Sequence, residues 1–329
     1  MNVVITGGTG FIGSRLALRC LEMGHAVRVL GQKNNSSEAD NSLLLENAGA
    51  KMFEASVTDR RAVQDILKGA DLVVHLAAVQ HEMNVPDQKF WDVNVAGTRQ
   101  MLEASLHAGV KRFIHGSTIG VYGTALQGNV HENSPVQPDN IYGVTKLEGE
   151  KVVASFQHKL PSVIIRISET YGPGDRRLLK LFRAIKKKMF LMIGSGENLH
   201  HLIYIDDLID GLLLAAREQR AIGQTFVLAG KDVLTTREMV LAIARYFGVS
   251  LPRVHAPLWF FWALATMLEL SLRPLGIQPP LHRRRMDFFR KSFMFSQDHA
   301  RTRLGFIPRV GFAQGAALTA QWYEQMGLL

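Results

Sequence analysis

N-V-V-I-T-G-G-T-G-F-I-G, Asn2 to Gly13, joins an apolar strand to a glycine-rich turn and then to a helix that continues S-R-L-A-L-R-C-L. Gly7, Gly10 and Gly13 allow a tight turn and a close backbone approach to a pyrophosphate, whose charge then rests on the helix N-terminus. A lone glycine triplet also suits an ordinary turn, whereas one bracketed by strand and helix points to a bound dinucleotide. Phe11, Ile12 and Arg15, on the helix that follows, join the glycines as candidate cofactor-binding residues.

Outward from this turn, apolar runs of strand length alternate with helical segments, at residues 26 to 30, 51 to 55, 71 to 77, 112 to 116 and 162 to 167. Such alternation builds a parallel sheet with helices on both faces, so its strands can be apolar throughout, as V-V-H-L-A-A is. After Ile167 the alternation loosens, and the last hundred residues read as mainly helical. The predicted class is α/β, a doubly wound parallel sheet with a smaller, mainly helical C-terminal substrate lobe. Residues 1–167, with 201–229 returning, are expected to form the dinucleotide-binding domain and 168–329 the lobe.

Composition narrows the function classes. One cysteine, Cys20, excludes an intrachain disulfide and a cysteine-based metal site, and no metal is expected. The opening M-N-V-V-I-T-G-G lacks a signal-peptide pattern, so the expected location is cytoplasmic. A formal charge of +9 gathers at Arg176 with Arg177, at Lys186 to Lys188 and between His282 and Lys291. No motif with stacking aromatics accompanies it, so nucleic acid is not an expected partner, and most of this charge reads as a solvated face.

In Y-G-V-T-K, Tyr142 and Lys146 stand one helical turn apart, which places a phenol and an ammonium on one face. A phenol titrates near ~10 and serves poorly at neutral pH unless its anion is stabilised, which a neighbouring ammonium does directly. A carboxylate about 20 residues past the glycines would hold the 2′-hydroxyl of NAD, whereas a basic group would accept a 2′-phosphate. Here the second strand is followed by Gly31, Gln32 and Lys33, and Lys33 with Arg15 tilts the expectation from NAD toward NADP. Ser56 is expected under the adenine with Val57 beside it, while Asp59 reads as the cap of the next helix.

T-G-G-T-G-F-I-G, H-L-A-A, N-V-A-G-T, S-T-I-G-V-Y-G, Y-G-V-T-K and R-I-S-E-T-Y-G-P-G stand in that order along the chain, which resembles the extended short-chain dehydrogenase/reductases of the epimerase/dehydratase superfamily. The resemblance implies a Rossmann fold, with Tyr142 as acid-base, Lys146 as its activating, ribose-binding partner and Thr118 orienting the reacting oxygen. It also implies cofactor contacts from Leu76, Ala77, Ala78, Asn94 and Ser117, a substrate pocket lined by Ser117, Tyr122, Tyr171 and His200, and a homodimer joined through helices at about 88 to 108 and 139 to 158. Two departures stand out. Dehydratases of the superfamily carry Asp-Glu after the Thr, where this chain has Ile119 and Gly120. Sugar-nucleotide enzymes place a diphosphate-gripping Arg four residues before the Tyr of a Y-V-D-D-like motif, where this chain has His200, followed by His201.

The run from Leu258 to Leu268 is apolar and aromatic but too short to span a bilayer. It reads as a lid helix over a greasy pocket, as a core helix, or as an interfacial helix giving peripheral membrane contact through residues 257–291. The C-terminal order is similar to the 3-beta-hydroxysteroid dehydrogenase branch. The expectation is therefore an NAD(P)-dependent oxidoreductase interconverting a secondary alcohol and ketone on a largely apolar small molecule. The alternatives are a sugar-nucleotide epimerase using the same Thr-Tyr-Lys set and a non-catalytic cofactor-binding regulatory protein.

Overall fold

The computed structural model describes residues 1–80, 85–123, 128–251, 255–272 and 286–329. In chain order β1 (Asn2–Thr6), α1 (Phe11–Glu22), β2 (Ala26–Gly31), α2 (Ser36–Asn47), β3 (Lys51–Glu54), α3 (Arg60–Leu67) and β4 (Leu72–His75) build the first half of the sheet. Then α4 (Asp87–Trp91), a π-helical turn (Asp92–Gly97) and α5 (Thr98–His107) run on without a break to β5 (Arg112–Thr118). After α6 (Ile141–Phe156) come the strand Ser162–Ile167, the helix Ile205–Arg217 and the strand Thr225–Leu228.

The sheet runs Thr225–Leu228, Ser162–Ile167, β5, β4, β1, β2, β3, and every pairing is parallel. Strand order reverses at β1, whose neighbours are β2 and β4, and ligands of such sheets bind outside the carboxyl ends at that switch point. β1 shows why its residues are apolar throughout. Val3 and Ile5 pack with Leu16 of α1 and Leu208 on one face, while Val4 packs with Val63, Met101 and Val153 on the other.

Helix starts are set by local chemistry. Asp59 caps α3 as expected, its carboxylate accepting the N–H groups of Arg61 and Ala62 at 3.0 and 3.1 Å. Asn140 caps α6 by accepting the Gly143 N–H at 3.0 Å, which fixes the turn that carries Tyr142.

The apolar C-terminal run forms the helix Leu258–Leu272. It is not the core helix that its composition allows, since its buried residues are Ala265 and Glu269 while Trp259 and Leu270 are 73% and 72% exposed. Residues 273–285 of the segment expected to contact membrane, including four of its arginines, lie outside the described residues. No described helix is long and apolar enough to cross a membrane.

A β-carbon added at Gly13 would stand 2.3 Å from the Gly7 carbonyl oxygen and 2.6 Å from Gly8 Cα, so α1 meets its own turn at a distance only glycine permits. The clash is with backbone, which cannot swing aside. Gly13→Ala is expected to lower stability by about 1–3 kcal/mol even without cofactor. Thermal unfolding of the ligand-free chain measures this, and an unchanged midpoint contradicts it.

Candidate active site

Tyr142 is the second residue of α6, packed against Val79 and Phe90 and 8% exposed. Its hydroxyl accepts a hydrogen bond from Gln80 Nε2 at 3.2 Å. One turn on, Lys146 is buried, and burial pulls its ammonium down to about 8, against the opposing pull of the Glu150 charge. The Nζ lies 3.5 Å from His115 Nε2. Thr118 ends β5 and caps the short helix Ile119–Tyr122 by accepting the Gly120 N–H at 3.0 Å. A hydroxyl that accepts there still has its own proton to give.

Asn94 sits in the π-helical turn, a feature that re-aims side chains and is frequent at functional sites. It is fully buried and staples the loop after β4 to α6. Its Oδ1 accepts the Val79 N–H at 2.8 Å, and its Nδ2 donates to Val79 O at 3.2 Å and to Thr145 Oγ1 at 3.0 Å. A directed chain of hydrogen bonds runs beneath it. Thr6 Oγ1 accepts from the Ala77 N–H at 3.2 Å and gives its proton to His75 Nδ1 at 2.7 Å. His75 Nε2 then donates to Thr98 Oγ1 at 3.0 Å, because that hydroxyl spends its own proton on Asn94 O at 2.8 Å.

Other expected site residues serve the interior instead. The Ser117 side chain is buried and donates to Glu150 Oε1 at 2.5 Å. Glu150 is paired with Arg166, Nη2 to Oε2 at 2.8 Å, both groups under 9% exposed. Tyr122 belongs to the same network. Its hydroxyl accepts from Arg166 Nη1 at 2.8 Å and donates to His131 O at 3.1 Å, so both its polar interactions are internal. Tyr171 is likewise core, edge-on to Tyr204 and against Phe312, and burial raises its phenol well above the ordinary range.

His200 is buried against Phe288, with Nε2 2.9 Å from Thr236 Oγ1 and Nδ1 3.5 Å from a Glu169 carboxylate oxygen. Glu169 follows the strand whose Ile167 is in register with Thr118, so this carboxylate stands at the same end of the sheet as the Thr118 hydroxyl. His201, just past the two-residue strand Leu199–His200, has Nε2 2.9 Å from Gly230 O, and its Nδ1 accepts the Phe295 N–H at 3.1 Å. Among the described residues no group of His, Cys, Asp or Glu is arranged to hold a metal ion.

At the cofactor end, Gly7 donates its N–H to Leu30 O at 2.8 Å, and α1 begins at Phe11 and Ile12 after Gly10 with no side-chain cap and no acid in its first turn. Those uncapped N–H groups, above a turn that a β-carbon would fill, fit a pyrophosphate. Leu76, Ala77 and Ala78 follow β4 beside Thr6, with Leu76 donating to Thr6 O at 3.1 Å. Val57 is buried under α5, and Ser56 Oγ lies 2.8 Å from Thr58 Oγ1 in the turn after β3. The two cations expected at a 2′-phosphate are each held by a carboxylate. Lys33 pairs with Glu54 at 2.9 Å, and Arg15 pairs with Asp206 at 2.9 Å across the domain.

Gln80, His75, His115, Glu150 and Glu54 were not read from the sequence as site residues. Only Glu150 left a signal, four residues after Lys146 and eight after Tyr142 on one helix face.

A model of the NAD dependent epimerase/dehydratase family matches residues 3–229. A 3beta-hydroxysteroid-dehydrogenase/decarboxylase isoform 2 of Arabidopsis thaliana is 26% identical over 98% of this chain, and the match spans 62% of that relative's length. A dTDP-glucose 4,6-dehydratase of Streptomyces niveus is 28% identical over 98% of this chain and 93% of its own. Among solved structures, UDP-glucuronic acid 4-epimerase from Bacillus cereus in complex with NAD matches with a TM-score of 0.80 at 25% identity over 99% of both chains.

Burial, and then the Lys146 charge, depresses His75 from its ordinary 6.5 to about 3. The unfolded chain therefore takes up this proton between those two pH values while the folded chain does not. The contribution is complete above about 6.5 and is lost as pH falls toward 3, by about 1.4 kcal/mol per pH unit. Urea midpoints should fall over this window in the parent and less steeply in His75→Leu. Parallel pH dependences in the two proteins contradict the assignment.

Proposed function

We propose that this chain, which belongs to the NAD-dependent epimerase/dehydratase family, inverts a secondary alcohol centre of a nucleotide-linked sugar through a transient ketone, with NAD as its cofactor. The observation that carries this reading is the buried Tyr142–Lys146 pair near Thr118, with Ile119 and Gly120 in place of the acid and base that eliminating water requires. Oxidation and reduction are what these side chains can assist. The nucleotide sugars named for the Streptomyces and Bacillus relatives support the substrate class over the largely apolar molecule expected from the C-terminal pattern.

Each residue has a task that its surroundings allow. Tyr142 takes the alcohol proton as the carbonyl forms and returns it when the carbonyl is reduced. Lys146, one turn away in a site of low dielectric, stabilises the phenolate and offers N–H groups to a ribose. Thr118 donates to the reacting oxygen, and Gln80 fixes the phenol from the cleft side. When bound, the nicotinamide supplies the hydride acceptor and donor.

A second reading keeps the apolar alcohol. It is favoured by the plant hydroxysteroid-dehydrogenase/decarboxylase relative, by the exposed Trp259 and Phe260, and by His200 with Glu169 where a diphosphate would need a guanidinium. The two readings differ in bookkeeping. An epimerase interconverts isomers with no net reduction of free NAD, whereas a dehydrogenase accumulates reduced cofactor with its ketone.

Tyr142→Phe is expected to lower kcat by about 10²–10⁴ while leaving NAD affinity within a few-fold. Isomer interconversion followed by NMR, with NAD binding by calorimetry, checks both parts. An equal loss of cofactor binding would show that the phenol is a binding group.

NAD is preferred over NADP because Glu54 already holds Lys33. Glu54→Gln frees that ammonium and should improve NADP affinity relative to NAD by about two- to five-fold, the modest effect of an exposed pair. An unchanged ratio in fluorescence titrations of both cofactors would remove Glu54 from cofactor choice.

A further inference from the structure

We infer that His115 is a positioning residue for the reaction proposed above, its Nε2 lone pair accepting one N–H of Lys146 so that the ammonium is held in place with two donors left for ribose and phenol. The inference rests on that reading of Lys146.

A buried ammonium needs an acceptor, and the obvious one is already committed. Glu150 lies one turn beyond Lys146, but its Oε1 takes the Ser117 hydroxyl at 2.5 Å and Arg166 Nε at 3.1 Å. Its Oε2 takes Arg166 Nη2 at 2.8 Å. Glu150 therefore acts on Lys146 through space, while the contact goes to His115 Nε2 at 3.5 Å. An ammonium only donates, so Nε2 must be the accepting nitrogen and the ring proton sits on Nδ1. That Nδ1 is buried and has no hydrogen-bond partner. An unpaired buried donor costs about 1–3 kcal/mol, which a phenyl ring of similar shape would avoid. The imidazole is thus a poor packing choice and a good acceptor for Lys146.

The surroundings keep that acceptor available. His115 lies on β5 in register with His75 on β4, the rings 5.5 Å apart, but both His75 nitrogens are used by Thr6 and Thr98. From α6 it faces Lys146, with the Glu150 charge behind, and from the next strand Arg166 points into Glu150. Burial, then the Lys146 charge and His75, hold His115 neutral well below its ordinary range, so its lone pair is present throughout the working pH. Gly149 lets the helix come this close, since a β-carbon there would meet Asn94 O at 2.9 Å and His115 Nε2 at 3.5 Å.

Two variants test the role. His115→Phe keeps a ring and deletes both nitrogens, whereas His115→Gln keeps an acceptor at about the reach of Nε2. Without an acceptor the charged form of Lys146 is less favoured, so the alkaline limb of kcat/KM should move about one pH unit lower in His115→Phe, with roughly tenfold less activity on that limb. NAD affinity by calorimetry at pH 8, which needs no turnover, should weaken about fivefold in His115→Phe through the lost ribose contact. His115→Gln should return both values toward the parent. A parental pH profile and NAD affinity in His115→Phe, or a loss uniform across pH that His115→Gln does not restore, overturns the inference. Turnover that survives Tyr142→Phe would instead sink the catalytic reading, so the two failures are separable.

Discussion

Lys146 carries an ammonium into the seam between the sheet and α6, where 1% of its surface meets solvent, and the elements around it are arranged to make that tenable. The charge sits where the dielectric is low, so its effect on a phenol one turn away is far larger than on a surface helix. Burial weakens the ammonium, while Glu150 and the His115 lone pair sustain it. This balance places its titration near the working range of an enzyme at neutral pH, where a partner of a proton-transferring phenol is most effective.

Two polar networks hold this arrangement from behind. One runs from Thr6 through His75 and Thr98 to Asn94, tying the end of the cofactor-binding strand to the helix that carries Tyr142 and Lys146. The other joins Ser117, Glu150, Arg166 and Tyr122 under the same helix. A buried network with its partners in place fixes one geometry, and loss of one member leaves a charge or donor stranded. The end of β1 and the helix that carries Tyr142 and Lys146 are thereby coupled through buried hydrogen bonds.

The fold was legible because its signals are local. Glycines between a strand and a helix, apolar runs at strand length and two residues spaced by one turn depend on neighbours within a dozen positions. Asp59 as a cap followed from the same local chemistry. Side-chain partnerships were not legible. Arg15 is neutralised by Asp206, 191 positions away, and Lys33 by Glu54, so a count of cations near the ribose overstated what a 2′-phosphate would meet. Tyr122, Tyr171 and Ser117 carry polar atoms that suit a pocket, yet each faces inward because an interior group or ring claims it. The two buried histidines were hidden inside apolar strands that read as plain core.

Between Leu258 and Leu272 the chain keeps aromatic groups at its surface beside Arg290, whose guanidinium lies over the Trp262 ring at 4.8 Å. Phe288, three residues before Lys291, packs on the buried His200, its ring centroid 4.7 Å from the imidazole. The proposed chemistry turns on where one amine and one phenol stand relative to a bound dinucleotide. A crystal structure with NAD tests it most directly. Lys146 Nζ is expected within about 3 Å of a ribose hydroxyl, with the Tyr142 hydroxyl facing the nicotinamide ring. A nicotinamide bound elsewhere, or a Tyr142 hydroxyl turned out of the cleft, would contradict it.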